Sequence, residues 1–438
     1  MLEINIIRLN TPIHIFLMCA LAFFIPIFPL ILSPIILLIV FNWLLAPKQI
    51  IVGFKANINN PGLILLVLFY AIYLIGMCYS TNLKFGREEL ETKLSFIVFP
   101  FVLSTYSQSC KDFIDKYFKF FVFGCLFYAT ICFLVALYRY VKPEYIIING
   151  LETNLGIGCF YYTNLSIFLH PSYSAMYSVF ALAILFYFVS TNKLQLNWKW
   201  CTAIILLVLF VLMLSSKAGW ISLSVISCYL FTNLFKQKKY MLLILISVFL
   251  GSMFYILNIK ITPVSITRIP KIAVITGAIK NQGILSDSTK DVADTDGSGS
   301  RVLVWKAAVD IVKSNFIFGV GTGDAKDVML EKYIEKGMVS EYKTNLNSHN
   351  QYFNTFIPLG IFGFAILVFI LAAPFYFYYK RQQLLFKMFV LIAALNFLVE
   401  SMLEVQAGVI YFVFIYVLLS FSFEKKSKNI STQELTIN

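Results

Sequence analysis

The chain has 438 residues, of which 59% are hydrophobic and 13% charged, with a mean hydropathy of +0.81. A soluble domain of that composition would expose far more contiguous apolar surface than soluble proteins carry, so the composition indicates a polytopic membrane protein. The net charge of +13 sits mostly on lysines in short loops between apolar runs, a positive-inside pattern rather than a nucleic-acid footprint.

Long apolar runs, without the weak alternation of outer-membrane strands, predict an all-α bundle, because lipid cannot satisfy open backbone groups. The first run, Ile13 to Leu45, carries Pro26, Pro29 and Pro34 and reads as two short spans joined near Pro29. Neither a basic start nor a small-residue cleavage site marks it as a cleavable leader. Further spans are expected at about Gly62–Tyr79, Leu94–Thr105, Phe118–Tyr138, Ser172–Val189, Cys201–Leu214, Ala218–Phe235 and Met241–Leu257. Three more follow at about Tyr352–Tyr378, Met388–Val399 and Val409–Phe423, making roughly twelve, some shorter than the ~20 residues of a straight span. The 8 cysteines, including Cys19, Cys125, Cys132, Cys201 and Cys228, show no metal-ligand spacing and are expected to be buried as small apolar residues.

If the tail bearing Lys425, Lys426 and Lys428 is cytoplasmic, an even span count puts nearly every short basic loop on the same side. The exception is Lys84 to Lys93, where Arg87 and Lys93 alternate with Glu88, Glu89 and Glu91. On this topology the loop Arg139–His170, the turn Ser215-Ser216-Lys217 and the long loop Ile259–Ser348 all face outward. The boundaries expected are an N-terminal bundle of about nine helices over 1–258, a large loop over 259–348, about three helices over 349–424 and a cytoplasmic tail over 425–438. No repeat of comparable halves is visible, unlike inverted-repeat transporters.

The ionisable residues of interest lie on the outward side. His349 precedes an apolar span; it is either a base able to take a hydroxyl proton or a polar residue at a helix start, with Asn350 as cap candidate. Lys217, in a tight turn, is either a snorkelling anchor or a binder of an anionic group. With Arg301 it makes two cations beside one base, a set suited to transfer from a diphosphate leaving group. Arg301 opens a stretch to Lys313 in which Val302, Trp305, Val309 and Val312 fall at helical spacing, as in an amphipathic helix against membrane or bundle. His170-Pro171-Ser172-Tyr173 opens the sixth span, with Pro171 suited to a first helical turn and His170 and Tyr173 open to capping or substrate contact. Glu400 and Glu404, four apart, are expected on one face of the penultimate span, to orient His349, to hold an ion pair, or to relay protons. Asp294 to Gly299 begins like a calcium loop, but its twelfth position is Trp305 rather than glutamate, so no metal site is expected.

These pieces together resemble the O-antigen ligase/polymerase superfamily. The matching elements are Ser215-Ser216-Lys217-Ala218-Gly219-Trp220, Ser300-Arg301 with Trp305, and Phe318-Gly319-Val320-Gly321-Thr322-Gly323. They continue with Ser348-His349-Asn350-Gln351-Tyr352, Leu359 to Gly363, and the closing Glu400 to Gly408, covering about residues 160–420. The resemblance implies a cofactor-free, metal-independent glycosyltransferase of the bacterial inner membrane. Its active site would face the periplasm and take a glycan from undecaprenyl diphosphate. It also implies His349 as the base and Arg301 as the diphosphate holder, with Lys217 where ligases have arginine. The acceptor implied first is lipid A–core. A polymerase extending an undecaprenyl-linked repeat is the alternative, and a proton-coupled transporter or flippase is the reading from another class.

Overall fold

The computed structural model describes residues 2–142, 145–148, 151–154, 158–236, 298–377 and 384–422. The protein is helical, as its composition requires. The first run splits into α1 (Leu2–Phe24) and α2 (Leu32–Leu44), parted by a break carrying Pro26 and Pro29, and is followed by α3 (Pro47–Asn57). Then come α4 (Pro61–Met77), α5 (Leu83–Lys93), α6 (Ser95–Thr105), α7 (Ser107–Val141), α8 (Pro171–Ser190), α9 (Trp198–Met213) and α10 (Lys217–Lys236). Beyond the 237–297 interval lie α11 (Ser298–Ser314), α12 (Ala325–Glu335), α13 (Val339–Lys343), α14 (Gln351–Tyr376), α15 (Leu384–Phe397) and α16 (Gln406–Ser422). The all-α class holds, and the loop after α7 adds a short antiparallel hairpin of strands β1 (Tyr145–Ile148) and β2 (Leu151–Asn154). The span expected over Met241–Leu257, the stretch 294–297 and the tail 425–438 lie outside the described residues.

Among the described residues, Ser107–Val141, Pro171–Ser190 and Gln351–Tyr376 are long and apolar enough to cross a bilayer. Five shorter apolar helices accompany them: Asn10–Phe24, Pro61–Met77, Trp198–Met213, Leu384–Phe397 and Gln406–Phe421. At 1.5 Å per residue the 35 residues of α7 reach roughly 50 Å, beyond the ~30 Å of a hydrocarbon core, so its first turns carry Lys111, Asp112, Asp115 and Lys116 without entering lipid. Lys193, after α8, reaches Asp115 at 2.6 Å and marks that end of the bundle.

Burial sorts the helices. Residues Ala407 to Phe421 of α16 are buried on every side, and α8 is nearly as enclosed, as expected for helices apolar all round. Around them Tyr177 and Tyr411 pack with ring centroids 4.3 Å apart, joined by Phe121, Phe180 and Phe389. Large apolar side chains such as Phe16, Leu37, Phe41, Phe127 and Leu134 face outward from α1, α2 and α7, the belt a bilayer would cover. The expected burial of every cysteine holds for Cys19, Cys110, Cys125, Cys132 and Cys159. Cys201 is half-buried, and Cys78 and Cys228 are exposed, because they fall on outward helix faces or a helix end.

The stripe on α11 also differs from its expected register. Its buried face is Val304, Ala307, Ala308 and Ile311, packed on Met329, Tyr333 and Ile357, whereas Val302 is half exposed. A helix placed between α12 and α14 buries small residues for close approach, which spacing of the large ones does not reveal.

The glycine turn after α11 is a docking device. Val320 N–H bonds to the Ile357 carbonyl at 2.9 Å and Gly321 N–H to that of Pro358 at 3.0 Å, while Ile361 N–H bonds to the Phe316 carbonyl at 2.9 Å. Pro358 and the non-helical Gly360 (φ 60°, ψ −154°) open α14 so that these groups are available. Gly319 has φ 72°, and a Cβ there would lie 2.5 Å from the Pro358 carbonyl and 2.6 Å from Gly360 N. Gly319→Ala is therefore expected to cost roughly 1–3 kcal/mol from left-handed strain alone, before the clash is relieved. A detergent-solubilised variant melting with the wild type would contradict this docking role.

Candidate functional site

Four helix N-termini meet at one end of the bundle. Glu400 connects α15 to the short 3-10 turn Met402–Glu404 that precedes α16, and touches the residues opening α8 and α14. Tyr173 of α8 donates to the Ser401 carbonyl at 3.4 Å, and Gly408 of α16 lies so close to Tyr173 that a Cβ would come within 2.9 Å of its ring. Gly219 brings the start of α10 equally close to Ala175 of α8. Converging N-termini supply partial positive charge, an environment favourable to anions.

His349 sits just before α14 at φ 45°, a conformation held from several sides. Its N–H donates to Asn347 Oδ1 at 2.9 Å. Asn350 caps α14 as expected, accepting from Tyr352 N–H at 2.9 Å and Phe353 N–H at 3.3 Å, and its amide donates to the Leu398 carbonyl at 3.1 Å. Trp305 donates from Nε1 to the Ser348 carbonyl at 2.8 Å, so α11 holds the same turn. Asn354 donates to Ser401 Oγ at 2.8 Å and ties the His349 turn to the Glu400 turn.

The result is a carboxylate between two of the three histidines. Glu400 Oε1 lies 3.0 Å from His349 Nδ1 and also accepts Ser401 N–H at 3.2 Å, while Oε2 faces His170 Nδ1 at 3.8 Å. Oε2 is buried and has no hydrogen bond among the described residues. Burial works to raise the Glu400 carboxyl, but the hydrogen bond from His349, the positive charges of His349 and His170, and the Ser401 N–H hold it below the usual carboxylate range. An ionised carboxylate can only accept, so the His349 nitrogen facing it, Nδ1, carries a proton, and Nε2 is the nitrogen turned away from the carboxylate. Arg301, half-buried on α11, is near enough to act on His170 electrostatically.

His170 caps α8, its Nδ1 accepting Ser172 N–H at 3.4 Å, with Pro171 in the first turn as expected. Burial lowers its pKa, with the charges of His349 and Arg301 acting in the same direction against Glu400. Both shifts make acid destabilising. His170 binds protons more readily unfolded, so its contribution is present above its unfolded pKa of roughly 6.5 and fades as pH falls below that. Glu400's contribution is lost further down, below roughly 4.3 and through its depressed folded value. His170→Asn, which keeps a capping side chain, is expected to flatten the loss of melting temperature between pH 7 and pH 5. An unchanged slope would show that His170 does not titrate on unfolding.

Glu400 and Glu404 do not share a helix face. The helix α15 stops at Phe397, so the two lie in an irregular connection and turn to different partners. Glu404 accepts from Lys93 Nζ at 3.0 Å and from Gln351 Nε2 at 2.9 Å; Lys93 also pairs with Glu89, and its ammonium lies 4.8 Å from the centre of the Tyr73 ring. Gln351 Oε1 accepts Leu403 N–H at 2.7 Å and fixes this segment over the start of α14. Spacing arguments passed over Glu89, Lys93 and Gln351, although the one basic loop that broke the charge rule contains the first two. Lys217 is exposed at the start of α10, which Ser216 caps through Gly219 N–H at 3.2 Å; α10 opens at the same end as α8.

Residues 201–368 match the family model described as O-antigen ligase. An uncharacterized protein of Haemophilus influenzae is 25% identical over 210 residues, which are 47% of this chain and 49% of that protein, so the chain spans about half the length of the relative it matches. Lys217, Arg301 and His349 fall inside the matched segment, whereas His170 and Glu400 lie outside it and reach His349 through the fold. From 201 to 368, then, this multi-pass helical membrane protein is O-antigen ligase-like.

Proposed function

We propose that this protein transfers a glycan from undecaprenyl diphosphate to a hydroxyl of lipid A–core at the periplasmic face of the inner membrane. The observation that carries the reading is the His349–Glu400 pair, with Nδ1 3.0 Å from the carboxylate, at an end where four helix N-termini and Arg301 converge. His349 Nε2 takes the proton of the acceptor hydroxyl as its oxygen bonds to the anomeric carbon; the bond from that carbon to the diphosphate oxygen breaks, and the electron pair leaves with the diphosphate. Arg301, Lys217 and the helix ends offset the charge that develops there. Glu400 and Asn350 keep the imidazole aimed, Trp305 holds its turn, Tyr173 fixes the Glu400 segment, and His170 borders the donor. On this reading 259–348 faces outward between an N-terminal bundle over 1–258 and C-terminal helices over 349–424, with the tail 425–438 inside.

Glu400→Gln keeps shape but removes the charge that selects the tautomer, so kcat is expected to fall about 10²-fold, with little change in donor KM. A fall in KM affinity alone would make Glu400 a binding residue. The reading itself is tested by protein in liposomes, with undecaprenyl-diphosphate glycan as donor and two acceptors offered separately. Product on lipid A–core is the expected result. Growth on a second undecaprenyl-linked repeat would make the protein a polymerase, and transfer to neither would overturn glycosyl transfer in favour of transport.

A further inference from the structure

A cavity of about 230 Å³ lies beside the His349 turn, between the α4–α5 corner, α12 and α14. Ser348 and Asn347 belong both to its wall and to the turn that carries His349, which is not itself on the wall. Its volume falls below the roughly 300–1,000 Å³ of drug-sized sites, enough for one ring rather than a chain. The wall is divided by chemistry. Glu89, Glu404, Lys326 and the amides of Asn347 and Asn354 supply hydrogen-bonding groups, and Leu330 and Phe85, whose ring centre lies 5.7 Å from the Lys326 ammonium, supply apolar surface.

The carboxylates on this wall are not readily explained as stabilisers. Lys93 is fully buried between Glu89 and Glu404, and a buried ion cluster is commonly no more stable than an apolar replacement of the same volume. Burial, then the negative charge of Glu404, pushes the Glu89 carboxyl up to about 7 against the pull of Lys93, so it can donate as well as accept near neutral pH. This wall therefore suits a ligand whose hydroxyls bridge acids and amides while one face lies on carbon.

We propose that this cavity binds a single neutral pyranose ring, a hexose or N-acetylhexosamine unit of the glycan or acceptor held next to His349. Its place in a reaction rests on the glycosyl-transfer reading; its binding does not. The test uses the full chain in nanodiscs, with saturation-transfer NMR to the methyl glycosides of glucose and N-acetylglucosamine. Saturation of at least one of them is expected. Leu330→Trp, which fills the cavity from α12 away from the ion cluster, is expected to abolish the signal at an unchanged melting temperature; if that protein melts early, Ala325→Leu on the same helix is read instead. Equal signals in the wild type and the filled variant, or no saturation of either glycoside, would overturn the proposal. A protein that transfers glycan but binds no glycoside loses the cavity proposal only. One that binds neutral rings in the cavity and transfers to neither acceptor loses the glycosyl-transfer reading only.

Discussion

His349→Ala is expected to lower transfer roughly 10²–10⁴-fold, the usual contribution of a positioned general base. The substitution removes the group that would take the acceptor proton and leaves Glu400, Asn350 and Trp305 bonded as they are to Ser401, Leu398 and Ser348. Position 349 has φ 45°, so alanine meets left-handed strain there, as histidine does. His349→Asn is the sharper control, because asparagine tolerates that conformation yet cannot serve as the base. Both variants should insert and melt much like the wild type and both should be inactive. Full activity in either would remove His349 from the chemistry, whereas lost activity accompanied by early melting in both would make it a structural residue of the turn.

Arg301→Ala is expected to cost about 10²–10³-fold, comparable with losing one preorganised group that meets developing charge. Lysine in its place keeps the charge but not the planar two-point grip on a diphosphate, so Arg301→Lys should fall between the two. The guanidinium also acts on His170 and helps to hold its pKa down. Its removal should therefore move the His170 titration upward in NMR, a shift that records the proximity of the two groups independently of turnover. Near-normal transfer by Arg301→Ala would place diphosphate binding on other groups.

Local patterns were legible where a short stretch of chain decides them. Asn350 caps its helix as residue type and position predict, His170 takes up capping, one of the two roles its position leaves open, and Pro171 opens α8 in its first turn. The long apolar runs around Phe118–Tyr138, Ser172–Val189 and Tyr352–Tyr378 are helices long enough to cross a bilayer. Patterns failed where helix length or neighbours decide. Glu400 and Glu404 would share a face only if α15 continued through them, and it stops at Phe397, after which each carboxylate turns to its own partner. Val302 and Trp305 mark a helical period on α11 without marking its buried face, because Ala307 and Ala308 permit the close approach.

What the sequence by itself determined is therefore the class and the vocabulary: an apolar helical chain, proline and asparagine at helix starts, and His349, Arg301 and Lys217 within a segment like the O-antigen ligases. Only the tertiary structure decided which residues meet. Glu400 is 51 positions from His349 and Glu404 is 311 from Lys93, and no periodicity in the chain links positions so far apart. Those pairs exist because the buried helices α8 and α16 bring their first turns to one end of the bundle, where a carboxylate taken out of water requires a donor.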